Sequence, residues 1–183
     1  NWLEPSAGHG AIARFFPKDT KNVFIEPSNY LASQLAINCH GDIKIHSFEN
    51  YYIGNKFDYI VMNPPFGKGG KTAIEHVEKA CFHLNKYGGS LLAIIPQGNS
   101  CEKHLRNFIC DKENSIQFMI TGKIILPTIT FNRAGTSVAT RLIKIVRHTK
   151  DNEHFFRNKW TEIDLSYIKD VKEFFNELEH LKF

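Results

Sequence analysis

The chain has 183 residues, with 23 Lys and Arg against 19 Asp and Glu, a formal net charge of +4 and 42% hydrophobic residues. Those values describe one soluble globular domain long enough to bury a core, and no apolar run approaches the roughly 18 to 20 residues that span a bilayer. The N-terminus, Asn1-Trp2-Leu3-Glu4, lacks the three-part pattern of a secretory signal, so neither a membrane-spanning nor a secreted protein is expected.

Short apolar runs alternate with segments of helical period, which predicts repeated βα units and an α/β fold with a mostly parallel sheet. Trp2-Leu3-Glu4 ends a first strand, a Gly-rich turn runs from Pro5 to Gly10, and a helix is expected from about Ala11 to Phe16, stopped by Pro17. Asn22 to Glu26 is the second strand. Pro27-Ser28-Asn29 opens a helix through Leu31, Leu35 and Ile37, and Ile43 to His46 is a third strand. Phe57 to Met62 is the fourth, followed by Asn63-Pro64-Pro65-Phe66, a Gly/Lys loop and a helix from about Thr72 to Asn85. Ser90 to Ile95 is continuously apolar, as in a strand covered on both faces. Cys101 to Cys110 has helical period, and Ile116 to Ile120, Lys123 to Leu126 and Ser137 to Val146 are predicted strands. The flanks of Phe131 to Thr136 suggest an antiparallel hairpin turning at Gly135. From His148 onward the chain is polar, ending in an amphipathic helix from about Ser166 to Leu181. The organisation expected is a catalytic domain over 1–147 and a polar tail over 148–183.

The first motif with chemistry in it is Glu4-Pro5-Ser6-Ala7-Gly8-His9-Gly10-Ala11-Ile12-Ala13, which holds G-x-G-x-x-A after a strand. Glycines let the backbone approach a ligand, and a helix start offers unpaired N–H groups. Glu26 ends the next strand, where a carboxylate accepts from both hydroxyls of a ribose, so a nucleoside cofactor is inferred. Glu4 directly before the glycines disfavours a pyrophosphate, because like charges repel in a partly desolvated crevice. A phosphate-free nucleoside carrying a sulfonium and an ammonium suits it better, namely S-adenosylmethionine.

Gly70-Lys71-Thr72 matches the end of a P-loop, but Pro65 stands where the motif requires its first glycine and removes a donor from a loop that works by donating N–H bonds. ATP hydrolysis is set aside, and Lys68 and Lys71 are expected in a basic loop able to meet a phosphate backbone. Asn63-Pro64-Pro65-Phe66 lies where open α/β sheets bind ligands, outside the carboxyl end of a strand. A planar arylamine is a poor nucleophile until acceptors draw on both of its N–H groups. The Asn63 side-chain carbonyl and the Pro64 main-chain carbonyl supply two acceptors, and Phe66 can stack on the ring.

Cys39, Cys81, Cys101 and Cys110 form no C-x-x-C pair and are expected as reduced thiols of a cytoplasmic protein. His76, Cys81 and His83 lie on one stretch, but their spacing is poor for a metal, and none is expected. The small positive balance is compatible with a polyanionic partner without deciding for one.

At these residues the chain resembles the class I S-adenosylmethionine-dependent methyltransferases, and within them the N6-adenine DNA methyltransferases, whose signatures are [DE]-P-x-x-G-x-G and [DNS]-P-P-[FYW]. The resemblance covers about Trp2 to Val146. It implies a Rossmann-like doubly wound sheet with an antiparallel C-terminal hairpin, and methyl transfer to the exocyclic amine of adenine in DNA. It also implies that Glu4, Pro5, Ser6, Gly8 and Gly10 line the methionine end of the cofactor, that Glu26 and Pro27 hold the ribose, and that Ser47 and Phe48 lie near the cofactor's adenine. Asn63, Pro64, Pro65 and Phe66 would then grip a flipped target base. The loop Thr128 to Gly135, with Phe131 and Arg133, is a candidate contact to the flipped base or its neighbours, or else an ordinary hairpin tip.

Three departures accompany the resemblance. Ser47 stands where the family often has an acidic residue, and the family's opening motif would precede the first residue, as in a fragment of a longer protein. Sequence-selective members also carry a large recognition region that the short tail does not match, so either target choice lies in absent or partner domains or the enzyme is weakly selective. RNA adenine and a protein glutamine amide present the same planar amine, with Phe66 leaning away from glutamine. A binding module without turnover is the remaining alternative.

Overall fold

The computed structural model describes residues 1–114, 117–129, 138–149 and 161–181. Its strands are β1 (Trp2–Glu4), β2 (Asn22–Ile25), β3 (Asp42–Lys44), β4 (Tyr59–Met62), β5 (Ser90–Pro96), β6 (Phe118–Ile125), β7 (Thr140–Arg147) and β8 (Thr161–Asp164). Its helices are α1 (Asn29–Asn38), α2 (Lys71–His83), α3 (Asn99–Cys110) and α4 (Val171–His180). The sheet runs β3-β2-β1-β4-β5-β7-β6-β8. β1 to β5 pair parallel, β7 pairs antiparallel with both β5 and β6, and β8 pairs parallel with β6. This is the doubly wound sheet with an antiparallel pair expected from the sequence.

Strand alternation decides what each face buries. Leu91, Ala93 and Ile95 of β5 and Ile143 and Ile145 of β7 join Ile74, Val77 and Leu105 in one core beneath α2 and α3. On the opposite face Phe24, Leu35, Ala13 and Phe16 form a smaller core under α1. Farther along that face Ile124, Leu126, Leu165 and Phe174 close over β6 beneath α4. Ser28 caps α1 by accepting from Leu31 N, and Asp170 caps α4 by accepting from Lys172 N and Glu173 N.

Three local expectations need correction. The helix over Ala11–Phe16 is only a 3-10 turn at Ala13–Phe15, because six residues before Pro17 cannot repay helix nucleation and the loop is already closed by Gly10 N donating to Ala7 O. The helix expected through Leu31, Leu35 and Ile37 is α1, in which Ala32 and Leu35 are the buried residues. The two strands expected around Gly122 are one, with the register shifting between Ile120 and Gly122; that glycine marks a bulge rather than a break. The final helix begins at Val171, not near Ser166, and Thr161–Asp164, predicted as polar tail, adds β8 to the sheet edge. No described helix is long and apolar enough to cross a membrane.

Candidate active site

β1 and β4 are neighbours in the sheet, yet β1 leads on to β2 on one side and β4 to β5 on the other. Chains leaving their carboxyl ends therefore diverge and leave a crevice, the general ligand position in such sheets. A cavity of about 670 Å³ occupies it, within the roughly 300 to 1,000 Å³ usual for small-molecule sites. Pro5, Ser6 and Gly8 form one wall, Glu26 and Pro27 the end of β2, and Ser47, Phe48 and Glu49 the segment after β3. Asn63, Pro64, Pro65 and Phe66 form the opposite wall, with His76 of α2 behind them. The two motifs, some sixty residues apart in the chain by the numbering, thus face one space.

Glu26 is buried and held at both oxygens: Oε2 accepts from Gly8 N at 3.0 Å and Oε1 from Ser28 N at 2.8 Å. Its remaining acceptor capacity faces the cavity, as a pair of ligand hydroxyls would require. Ala7 N donates to Ile25 O at 2.9 Å. The N–H groups of Ala7, Gly8 and Gly10 are thus spent on the chain itself, as Gly10 N donates to Ala7 O at 2.9 Å, which weakens the loop as a pyrophosphate cradle. Gly8 has φ +55°, a left-handed value that favours glycine.

Glu4 and Gly10 stand behind the wall rather than in it. A Cβ on Gly10 would lie 2.7 Å from Cys39 Sγ, so this glycine lets the loop pack on α1. Glu4 is 2% exposed, and its Oε2 has no hydrogen-bond partner. Burial pushes its carboxyl up to about 8, opposed only by the Ala13 N–H. At neutral pH this carboxyl is therefore held mainly in its protonated form, behind the cavity rather than in it.

Asn63 is exposed at the end of β4, Pro64 is buried and Pro65 exposed, and Phe66 is half-buried against the main core. No described residue hydrogen-bonds the Asn63 carboxamide, so its acceptor is open to a ligand. The loop then closes on α2, with Gly67 at φ +65° against Thr72. Lys68 lies in a 3-10 turn at Lys68–Gly70, and Lys71, which starts α2, pairs with Glu75 at 3.5 Å; both lysines are exposed outside the cavity. Phe131 and Arg133 lie outside the described residues.

Glu49 and His76 are cavity residues that sequence reasoning did not assign. His76 Nε2 and Glu49 Oε1 are 3.0 Å apart, and that hydrogen bond holds the Glu49 carboxyl down at about 2. The His76 ring meets Phe48 edge-on at 5.4 Å, while Lys79 Nζ sits over the same ring and donates to Glu49 O at 2.7 Å. Phe48 is clamped from two sides. The available signal was a histidine within the apolar stripe of α2, beside Ala73, Val77 and Ala80.

Residues 7–117 match the family model of the methyltransferase small domain. The chain belongs to that family. As a methyltransferase small domain its fold is also that of solved class I enzymes. A Listeria monocytogenes protein described as a class I S-adenosylmethionine-dependent methyltransferase is 17% identical, with a TM-score of 0.68 over 97% of this chain. The chain spans 62% of the length of that protein. An rRNA methylase from Streptococcus thermophilus is 15% identical with a TM-score of 0.56, covering 81% of this chain and 86% of its own. The plantazolicin methyltransferase, solved with S-adenosylhomocysteine, is 10% identical with a TM-score of 0.56, covering 81% and 76%. At such identities the likeness is one of fold. No curated protein matches the chain.

Proposed function

We propose that this methyltransferase small domain transfers a methyl group from S-adenosylmethionine to the exocyclic N6 amine of adenine in DNA. The observation that carries the reading is the meeting, across one cavity, of a tethered ribose acceptor, Glu26, and an open carboxamide, Asn63. The residues present fit the cofactor: Glu26 offers acceptors to two hydroxyls and Phe48 an aromatic wall. S-adenosylmethionine supplies, when bound, a methyl group already activated on a positively charged sulfur.

The work left to this chain is positioning and charge stabilisation. Asn63 Oδ1 and the Pro64 carbonyl accept the two amine hydrogens, which draws the nitrogen lone pair out of the ring and directs it at the methyl group. Phe66 stacks on the base. With the cofactor bound, forming the carbon–nitrogen bond would break the carbon–sulfur bond and leave its electron pair on sulfur, and the amine would give up one proton to water at the exposed Asn63.

RNA adenine is the second reading, favoured by neighbours whose names are RNA methyltransferase and rRNA methylase. Incubation with methyl-labelled cofactor and either duplex DNA or structured RNA separates the two. N6-methyladenine in DNA is the expected product. Label appearing only in RNA moves the assignment to the second reading, and label in neither polymer ends both.

A further inference from the structure

The far half of the sheet holds a buried cation that methyl transfer leaves unused. Alternation along β7 turns Ile143 and Ile145 toward α3 and Leu142 toward the opposite core. The same row continues to Arg141, which is 3% exposed. Its Nη1 donates to the Glu102 carboxylate, but Nε and Nη2 are buried without a partner. A guanidinium is a rigid fork of five donors, and donors left unmade inside a protein are costly unless an acceptor comes to them.

Two hollows of about 460 and 420 Å³ share Arg141, Lys123 and Glu102 in their walls. The second also takes in Gly98 and Asn99, where the 12-residue helix α3 begins without a side-chain cap. Uncapped N–H groups and the helix dipole favour an anion there. Lys123, which pairs with Glu162 at 3.1 Å, adds a further cation. The carboxylate in the walls is Glu102, whose side chain is 53% exposed and free to swing into solvent.

The helix α3 that walls these hollows also touches the segment after the acceptor loop. Cys101 Sγ donates to Gly69 O at 3.3 Å, and a Cβ on Gly70 would lie 2.2 Å from Cys101 Sγ. The first turn of α3 is therefore locked onto the segment that follows Phe66.

We infer that Arg141, Lys123 and the start of α3 form a phosphate-binding site for the backbone of the strand whose base enters the Asn63–Phe66 loop. Glu102 holds the guanidinium until the phosphate displaces it. The inference rests on the nucleic-acid reading of the acceptor above. A planar fork matches the two free oxygens of a phosphodiester, and the helix start complements their charge.

The test is fluorescence anisotropy with a labelled, adenine-containing single-stranded oligonucleotide, in DNA and RNA forms, over a range of salt. Arg141→Met, which keeps an apolar stem of similar length, is expected to weaken binding about tenfold and to reduce the salt slope by about one. Glu102→Gln removes the internal competitor and is expected to tighten binding about threefold. Calorimetry with S-adenosylhomocysteine reads the same in both variants as in the wild type. Unchanged oligonucleotide affinity and salt slope in both variants overturn the phosphate site and leave the acceptor reading standing. No oligonucleotide binding by the wild type overturns both. An Arg141-dependent rise in melting temperature with inorganic phosphate, without any effect of Arg141 on the oligonucleotide, assigns the site to a free phosphate and removes the backbone role.

Discussion

The two halves of the sheet bury opposite charges and treat them differently. Around β1 and β2 the buried ionisable groups are carboxyls: Glu26 tied by two backbone donors, and Glu4 left with an unmatched oxygen and pushed up to about 8, so held mainly protonated at neutral pH. Around β6 and β7 the buried charge is a guanidinium with two nitrogens unmatched. On the readings proposed above, the cofactor belongs to the first half and an anionic polymer to the second, with the Asn63–Phe66 loop at the seam between them. Charge complementarity of this kind is read from burial, since net charge alone is +4 and says little.

The contrast is broken most severely at the seam. Asn63→Ala is expected to lower kcat about 10²- to 10³-fold while the Kd for S-adenosylhomocysteine changes less than about threefold, read by steady-state kinetics and calorimetry. Equal losses in both would contradict the acceptor role. Next in size is Glu26→Ala, which leaves the Gly8 and Ser28 N–H groups without their partner. Cofactor affinity should fall about 10- to 100-fold with kcat at saturation little changed.

Glu4 sharpens the comparison through pH. Its folded value, about 8, lies above the ordinary 4.5, so the protonated form carries stability that is complete below about 4.5 and lost as pH rises through 8. Glu4→Gln should flatten that decline, raising the melting temperature at pH 9 by about 2–4 °C per kcal/mol of ionisation cost removed. Glu49 gives the smallest effect and the opposite sign. Its value is held near 2, so its contribution is present above about 4.5 and lost as pH falls through 2. Glu49→Gln should differ from the wild type by only a degree or two in melting temperature at pH 7, since the carboxylate is 61% exposed. The gap should close as acid protonates the wild-type residue.

Much of this was legible in residue order. Alternating apolar runs announced the parallel sheet, and the G-x-G and N-P-P-F motifs marked strand ends because their glycines and prolines constrain the backbone locally. The helix expected after Gly10 was misjudged because period alone cannot weigh nucleation in six residues. The strands expected over Ile116 to Ile120 and Lys123 to Leu126 proved to be one, because a bulge at Gly122 lets pairing continue past the irregularity. Thr161–Asp164 carries no apolar alternation of its own, and its place in the sheet comes from pairing with β6.

What the sequence determined by itself is therefore the local grammar: strand, loop, carboxylate, amide and aromatic at fixed spacings, each legible because it acts within a few residues. Only the tertiary structure decided which of them meet. Glu49 reaches His76 across 27 positions and Arg141 reaches Glu102 across 39, separations at which periodicity holds no information. Those contacts exist because sheet order and helix packing bring distant segments together. Burial, which turns an ordinary arginine or glutamate into a group in need of a partner, is a property of the assembled core alone.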